Sequence, residues 1–177
     1  MNSEMQHSQQ YVIRLARRDE LTKLQAIELA AAQLFRATAH IWISDDTGMA
    51  VDDFEHWLIN GKLWVAVDAT DEPVGFAVAH AVDGNVYLHE LDIDPKHGRQ
   101  GLGARLIDTV AAWAQASGYR AVTLSTFVDV PWNAPYYRRL GFRVLGDDEL
   151  GPGLREVRTH EAEVGLTNRV YMLRPVG

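Results

Sequence analysis

Two short stretches of this sequence hold residues whose types and spacing can do chemistry. The first, Pro95 to Ile107, reads P-K-H-G-R-Q-G-L-G-A-R-L-I and follows the strand-like run Val86 to Ile93. A strand, a glycine-rich turn and a helix start together make a cradle for a pyrophosphate. Backbone N–H groups of Gly98, Arg99, Gln100, Gly101, Leu102, Gly103 and Ala104 can converge on the anion, and the helix dipole adds partial positive charge. Glycines let the backbone approach where a side chain would block it. The second stretch, Asn133 to Phe142, reads N-A-P-Y-Y-R-R-L-G-F. Residues four apart share a helix face, so Asn133 aligns with Tyr137, and Tyr136 aligns with Leu140 on a different face. The second pair reads as core packing. The first pair is polar and available to a ligand; its plainer account is a capping Asn and a Tyr with its tip in water.

Other phosphate-binding turns fit less well. A dinucleotide fingerprint needs a third glycine where Leu106 stands, and an acidic ribose ligand where Ala121 stands. The preceding strand carries His89, Glu90 and Asp92, whereas a central parallel strand is almost wholly apolar. No Gly-Lys-Ser/Thr is present, so a P-loop is excluded. A strand-to-helix turn without a ligand is the remaining plain account.

Taken together and in this order, the two stretches resemble the GNAT superfamily of N-acetyltransferases, whose members move an acetyl group from acetyl-CoA to an amine. The turn is similar to that family's cofactor loop, Arg/Gln-x-x-Gly-x-Gly/Ala, with Gly101 and Gly103 at the two small positions and Ile93 and Pro95 matching the lead-in. One departure is plain: Gly98 stands where the family has Arg or Gln, with Arg99 and Gln100 beside it. The resemblance implies an α/β (α+β) fold with a central mixed, mostly antiparallel sheet of about seven strands and helices on both faces. It implies acetyl-CoA as acetyl donor, its pyrophosphate at Gly98 to Ala104 and its pantetheine along Leu91 and Ile93. Asn133 would contact the pantetheine arm, and Tyr137 would protonate the departing thiolate. Dimers are common in the superfamily, so a homodimer is among the expectations.

Acetyl transfer to a primary amine needs a neutral nucleophile, a polarised carbonyl and a protonated leaving group. Direct attack in a ternary complex suits a chain with no cysteine and no G-x-S-x-G elbow. A base must take the ammonium proton. Glu90 is the candidate, near the end of the strand that meets the turn. Asp92 shares its face and His89 alternates to the other. The plainer account of Glu90 is a solvated or salt-bridged carboxylate. His160-Glu161 is a second candidate for substrate contact, or else surface. The seven histidines show no ligand spacing, so no metal site is expected.

The elements that must position these residues follow from periodicity. Tyr11 to Ala16, Leu63 to Ala69, Val74 to Val82, Val86 to Ile93, Ala121 to Phe127, Gly141 to Val144 and Val170 to Leu173 read as strands. Helices are expected from Asp19, over Val51 to Leu58, Gly101 to Ser117 and Ala134 to Leu140, with 38–48 irregular. Residues 1–10 form a polar tail, and 11–177 one domain. A chain of 177 residues, 47% hydrophobic, can bury a core without staples. No segment has a signal peptide's apolar stretch or the length to span a bilayer, which points to a cytoplasmic protein without membrane partners. A net charge of −7 argues against nucleic acid as a partner. Two other classes stay open: a non-catalytic acyl-CoA sensor on the same fold, and a nucleotide-binding regulatory domain. The acceptor is set by Asp19 to Gly61 in such a fold. There Trp42 and Trp57, with Trp132 further on, line a pocket or pack in the core.

Overall fold

The computed structural model describes residues 10–177 and resolves the expected alternation into seven strands in one sheet. In chain order the elements are β1 (Val12–Leu15), α1 (Leu21–Ala32), α2 (Val51–Asn60), β2 (Lys62–Val67), β3 (Pro73–Val82), β4 (Asn85–Ile93) and α3 (Leu102–Ala116). Then come β5 (Ala121–Phe127), α4 (Ala134–Arg139), β6 (Arg143–Val144), α5 (Pro152–Glu163) and β7 (Arg169–Pro175). The strand order is β1-β2-β3-β4-β5-β7-β6. β4 and β5 run parallel, joined through α3, and β1–β2, β2–β3, β5–β7 and β6–β7 are antiparallel. The stretch 38–48, expected to be irregular, holds a short 3-10 turn at Ile41–Asp45.

The chain divides into two compact units, one running to Ala79 with Glu90–Thr109, the other comprising His80–His89 with Val110–Gly177. In the first, Leu24 and Ile27 of α1 and Phe54 of α2 pack on Leu63, Val65, Val67, Phe76 and Val78. Those strand residues alternate along β2 and β3, so one sheet face is apolar, as period-two patterning requires. Trp57 lies partly buried against this core, whereas Trp42 and Trp132 stay at the surface. Gly75 of β3 has no room for a side chain: a Cβ there would meet Ile93 Cδ1 at 2.5 Å and the Asp92 carbonyl at 3.0 Å.

In the second unit, Tyr87, Leu145, Leu150, Leu154 and Tyr171 form the core. Helix α5 is an element that the periodicity does not reveal. Only Leu154 and Glu161 are buried on it, with Val157 partly so, and a stripe that includes a carboxylate escapes an apolar-period reading. Its start is fixed from outside the helix. Asp83, in the β3–β4 turn, accepts from the N–H groups of Gly153 (2.8 Å) and Leu154 (2.9 Å). Asp83 and Gly84 have φ of 53° and 73°, the pair of left-handed residues that a two-residue hairpin turn needs. One residue thus serves the turn through its backbone and the helix cap through its carboxylate. Asp83→Ala is expected to lower unfolding stability by about 1–2 kcal/mol, measured by urea denaturation. An unchanged midpoint would remove Asp83 from the cap.

Candidate functional site

The glycine turn is built from the end of β4 onward. Asp94 N–H donates to the Val74 carbonyl (2.8 Å), which ties the strand end to β3. The Asp94 side chain then accepts from Lys96 N–H (3.0 Å), and His97 N–H returns to the Asp94 carbonyl (2.8 Å). Gly98 N–H donates to the Pro95 carbonyl (3.2 Å), so that amide is committed inside the turn. Arg99 (φ 60°) and Gly101 (φ 73°) are left-handed. For Arg99 this conformation costs roughly 1 kcal/mol. At Gly101 a Cβ would meet nothing within 4 Å, so the glycine answers to the backbone angle rather than to crowding. The first helical bond runs from Arg105 N–H to the Gly101 carbonyl (3.1 Å). The amides of Leu102, Gly103 and Ala104 precede it, where a helix start presents N–H groups to an anion. Arg99 and Gln100 are exposed.

Behind this turn, β4 carries Glu90 and Asp92 on one face, and α1 brings Glu28 toward them. The Glu28 carboxylate accepts from Met49 N–H (3.1 and 3.0 Å). Burial, then the charge of Glu90, pushes the Glu28 carboxyl from its ordinary 4.5 up to about 7, against the Met49 hydrogen bond. Asp92 is raised well above the usual carboxylate range, first by burial, then by the charges of Glu90 and Glu28 and a hydrogen bond with Glu90. The raised Glu28 and Asp92 carboxyls thus surround Glu90, a setting in which a carboxylate could accept a proton from an ammonium. Glu28 is the member that sequence reasoning missed. A Glu beside Ile27, at the border of the α1 stripe, looks like an ordinary solvated charge. His89 points away, toward the rings of His80 (5.6 Å) and Tyr87 (6.3 Å). Leu91 and Ile93, which alternate with these carboxylates along β4, are half-buried. The β4–β5 ladder has its pairs at Val86↔Val122 and Tyr87↔Thr123, and β4 continues as a strand to Ile93.

Glu90, Leu91, Ile93 and Gly98 to Ala104 all belong to the first unit, and Asn133 and Tyr137 to the second. Asn133 holds the N-cap position of α4 without a side-chain cap bond, which sets aside the capping account. Its carbonyl accepts from Tyr137 N–H (3.0 Å). The Tyr137 ring packs edge-on against Tyr136 (5.6 Å) and Phe142 (5.7 Å). Gly141 (φ 91°) reverses the chain so that Phe142 N–H reaches the Tyr137 carbonyl (3.1 Å). Tyr136 and Leu140 are half-buried, in keeping with a packing role. Of the pair His160-Glu161, only His160 is at the surface. Glu161 is 6% exposed and accepts from Ser125 Oγ (2.9 Å), Tyr171 Oη (2.6 Å) and Arg169 Nη2 (3.2 Å). It is a structural carboxylate, and the surface account of it is corrected. Among the described residues no cluster of His, Asp or Glu suits a metal ion, and no helix is long and apolar enough to cross a membrane.

Comparison with known proteins bears on the same segments. The chain is 28% identical over 139 residues to the peptidyl-lysine N-acetyltransferase YjaB of Salmonella typhimurium, covering 78% of this chain and 87% of that protein. Its fold matches an acetyltransferase of GNAT family from Staphylococcus aureus Mu50 with a TM-score of 0.71 at 16% identity, covering 94% and 99% of the two chains. It also matches the PaiA N-acetyltransferase of Thermoplasma acidophilum, solved in complex with coenzyme A, with a TM-score of 0.69 at 14% identity over 93% and 98%. The sequence model of the acetyltransferase (GNAT) family covers residues 24–142, from the α1 core through the glycine turn to the Gly-Phe that follows α4. Because that model spans more than half of the chain, the chain belongs to the acetyltransferase (GNAT) family.

Proposed function

We propose that this chain transfers the acetyl group of acetyl-CoA to a primary amine by direct attack in a ternary complex. One observation carries the reading: a single strand, β4, bears Glu90 among carboxylates of raised pKa and runs straight into the helix-start turn. Base and cofactor anchor are therefore positioned by the same backbone. The amides of Leu102, Gly103 and Ala104, with Arg99, Gln100 and Gly101 in the turn, hold the pyrophosphate. Backbone groups of Leu91 and Ile93, beyond the last β5 pair, hold the pantetheine amides, and Asn133 contacts the arm.

The Glu90 carboxylate takes the ammonium proton, and the neutral nitrogen attacks the thioester carbonyl carbon. The C–N bond forms and the C–S bond breaks; the nitrogen sheds its second proton to solvent as the amide forms, and the departing thiolate takes its proton from the Tyr137 hydroxyl, which solvent reprotonates. Positioning and proton transfer together lower the barrier. An acidic, cytoplasmic enzyme that acts on neither nucleic acid nor membranes completes the reading. Since one relative is named a peptidyl-lysine N-acetyltransferase, peptidyl-lysine is the first acceptor to screen.

Calorimetric titration with acetyl-CoA, against NAD and ATP, tests the cofactor. Thiol release with added amines tests the reaction, and is clean because the protein has no cysteine. Tyr137→Phe is expected to lower kcat by about tenfold or more while the acetyl-CoA Kd stays within about twofold. Wild-type turnover in that variant would take Tyr137 out of the mechanism. Acetyl-CoA binding without release to any amine would leave a sensor, and no binding at all would end the enzyme reading.

A further inference from the structure

The phosphate-facing turn is tied to β1 by contacts that the mechanism above does not use. Tyr11, 7% exposed, precedes that strand directly. Its Oη lies 3.0 Å from His97 Nδ1, hydrogen-bond distance whichever atom carries the proton. The two rings meet edge-to-face at 5.8 Å and 87°. On its backbone side, Tyr11 offers its carbonyl to Arg105 Nη2 at 2.9 Å. His97 immediately precedes Gly98, and Arg105 immediately follows Ala104. One residue therefore grips the segment 98–104 at both ends.

That segment needs a grip. Arg99 and Gly101 are left-handed, and Arg99 gains nothing from that conformation in an unconstrained chain. Gly98 brings no side chain to an anion. Affinity for the pyrophosphate then rests on amides already fixed in place before the ligand arrives, because ordering them at binding would consume the contact energy. We propose that Tyr11 is a positioning residue for the cofactor, acting with His97 and Arg105 to preorganise the 98–104 turn for the pyrophosphate. The proposal rests on the acetyl-CoA reading above.

Tyr11→Phe keeps the ring and removes the hydroxyl. Its acetyl-CoA Kd is expected to rise about five- to tenfold, the worth of one hydrogen bond. S-acetyl-pantetheine lacks the pyrophosphate. Titrated by NMR at millimolar concentration, it should bind wild type and variant equally. His97→Phe should show the same loss, and the double variant no more than either single one, because both break a single link. Equal acetyl-CoA affinity in wild type and Tyr11→Phe would overturn the proposal. So would an equal loss for both ligands, which would mean general damage. If Tyr11→Phe melts well below wild type, His97→Phe, at a half-buried position, carries the comparison. A wild-type protein that binds no acetyl-CoA would instead bring down the cofactor reading itself, and this proposal with it.

Discussion

Glu90→Gln is expected to lower kcat by about two to three orders of magnitude, the usual cost of losing a general base, with acetyl-CoA affinity little changed. The variant keeps the size and hydrogen-bonding reach of the side chain and removes only its capacity to hold a proton. The pH profile gives a sharper test than the rate alone. Glu28 titrates at about 7, and Asp92 is raised by burial and by its two neighbours. Protons bound by this cluster must leave before it can accept one from the amine. Wild-type kcat/KM is therefore expected to climb as pH rises through about 7. Removing a neighbouring negative charge makes the remaining carboxyls easier to ionise. Glu28→Gln should accordingly shift that acidic limb to lower pH while retaining most of the plateau rate. A pH–rate limb that stays in place in Glu28→Gln would detach the cluster from catalysis. Wild-type turnover in Glu90→Gln would move the base elsewhere.

The second large effect is on stability. Glu161→Ala should destabilise the fold by about 3 kcal/mol or more. The Glu161 carboxylate is the common acceptor for Ser125, Tyr171 and Arg169, and it joins α5 to β5 and β7. Burial and the bond to Glu161 raise the Tyr171 hydroxyl well above its ordinary range, so it remains a donor at any physiological pH. Arg169 lies over the Phe127 ring at 4.7 Å, with its side chain 18% exposed. Truncating Glu161 removes the carboxylate that offsets that charge, leaving Arg169 only its bonds to Ser125 (3.1 Å to Oγ and to the carbonyl), takes the shared acceptor from two hydroxyls, and opens a gap under the helix. With an unfolding entropy of about 2.1 cal/mol/K per residue, the melting temperature should fall by roughly 8 °C. Glu161→Gln, which keeps one acceptor oxygen, should lose less. A melting temperature within about 2 °C of wild type in Glu161→Ala would show that the network contributes little.

The strands, the glycine turn and the Asn-to-Phe helix were legible in the sequence because each rests on local rules. Alternation of Val, Ile and Leu sets β2 to β5. Gly101 supplies a left-handed angle, and Gly118 (φ 81°) closes α3 where the apolar period stops. Together with motif order, these were enough to point to the family. What the tertiary structure decided are charges and caps whose meaning depends on neighbours far along the chain. Glu28 becomes a group that titrates near 7 only because α1 carries it to Glu90 and Asp92. Glu161 looks like a surface charge until β5 and β7 surround it with three donors. Helix α5 is stabilised by the carboxylate of Asp83, seventy residues before Gly153. Tyr11 meets His97 across 86 residues of sequence. Local patterning sets which segments are strands and helices, since neighbours in sequence decide backbone preference. The desolvation and pairing of a polar side chain are set by whatever packs against it, and only the folded chain brings those groups together.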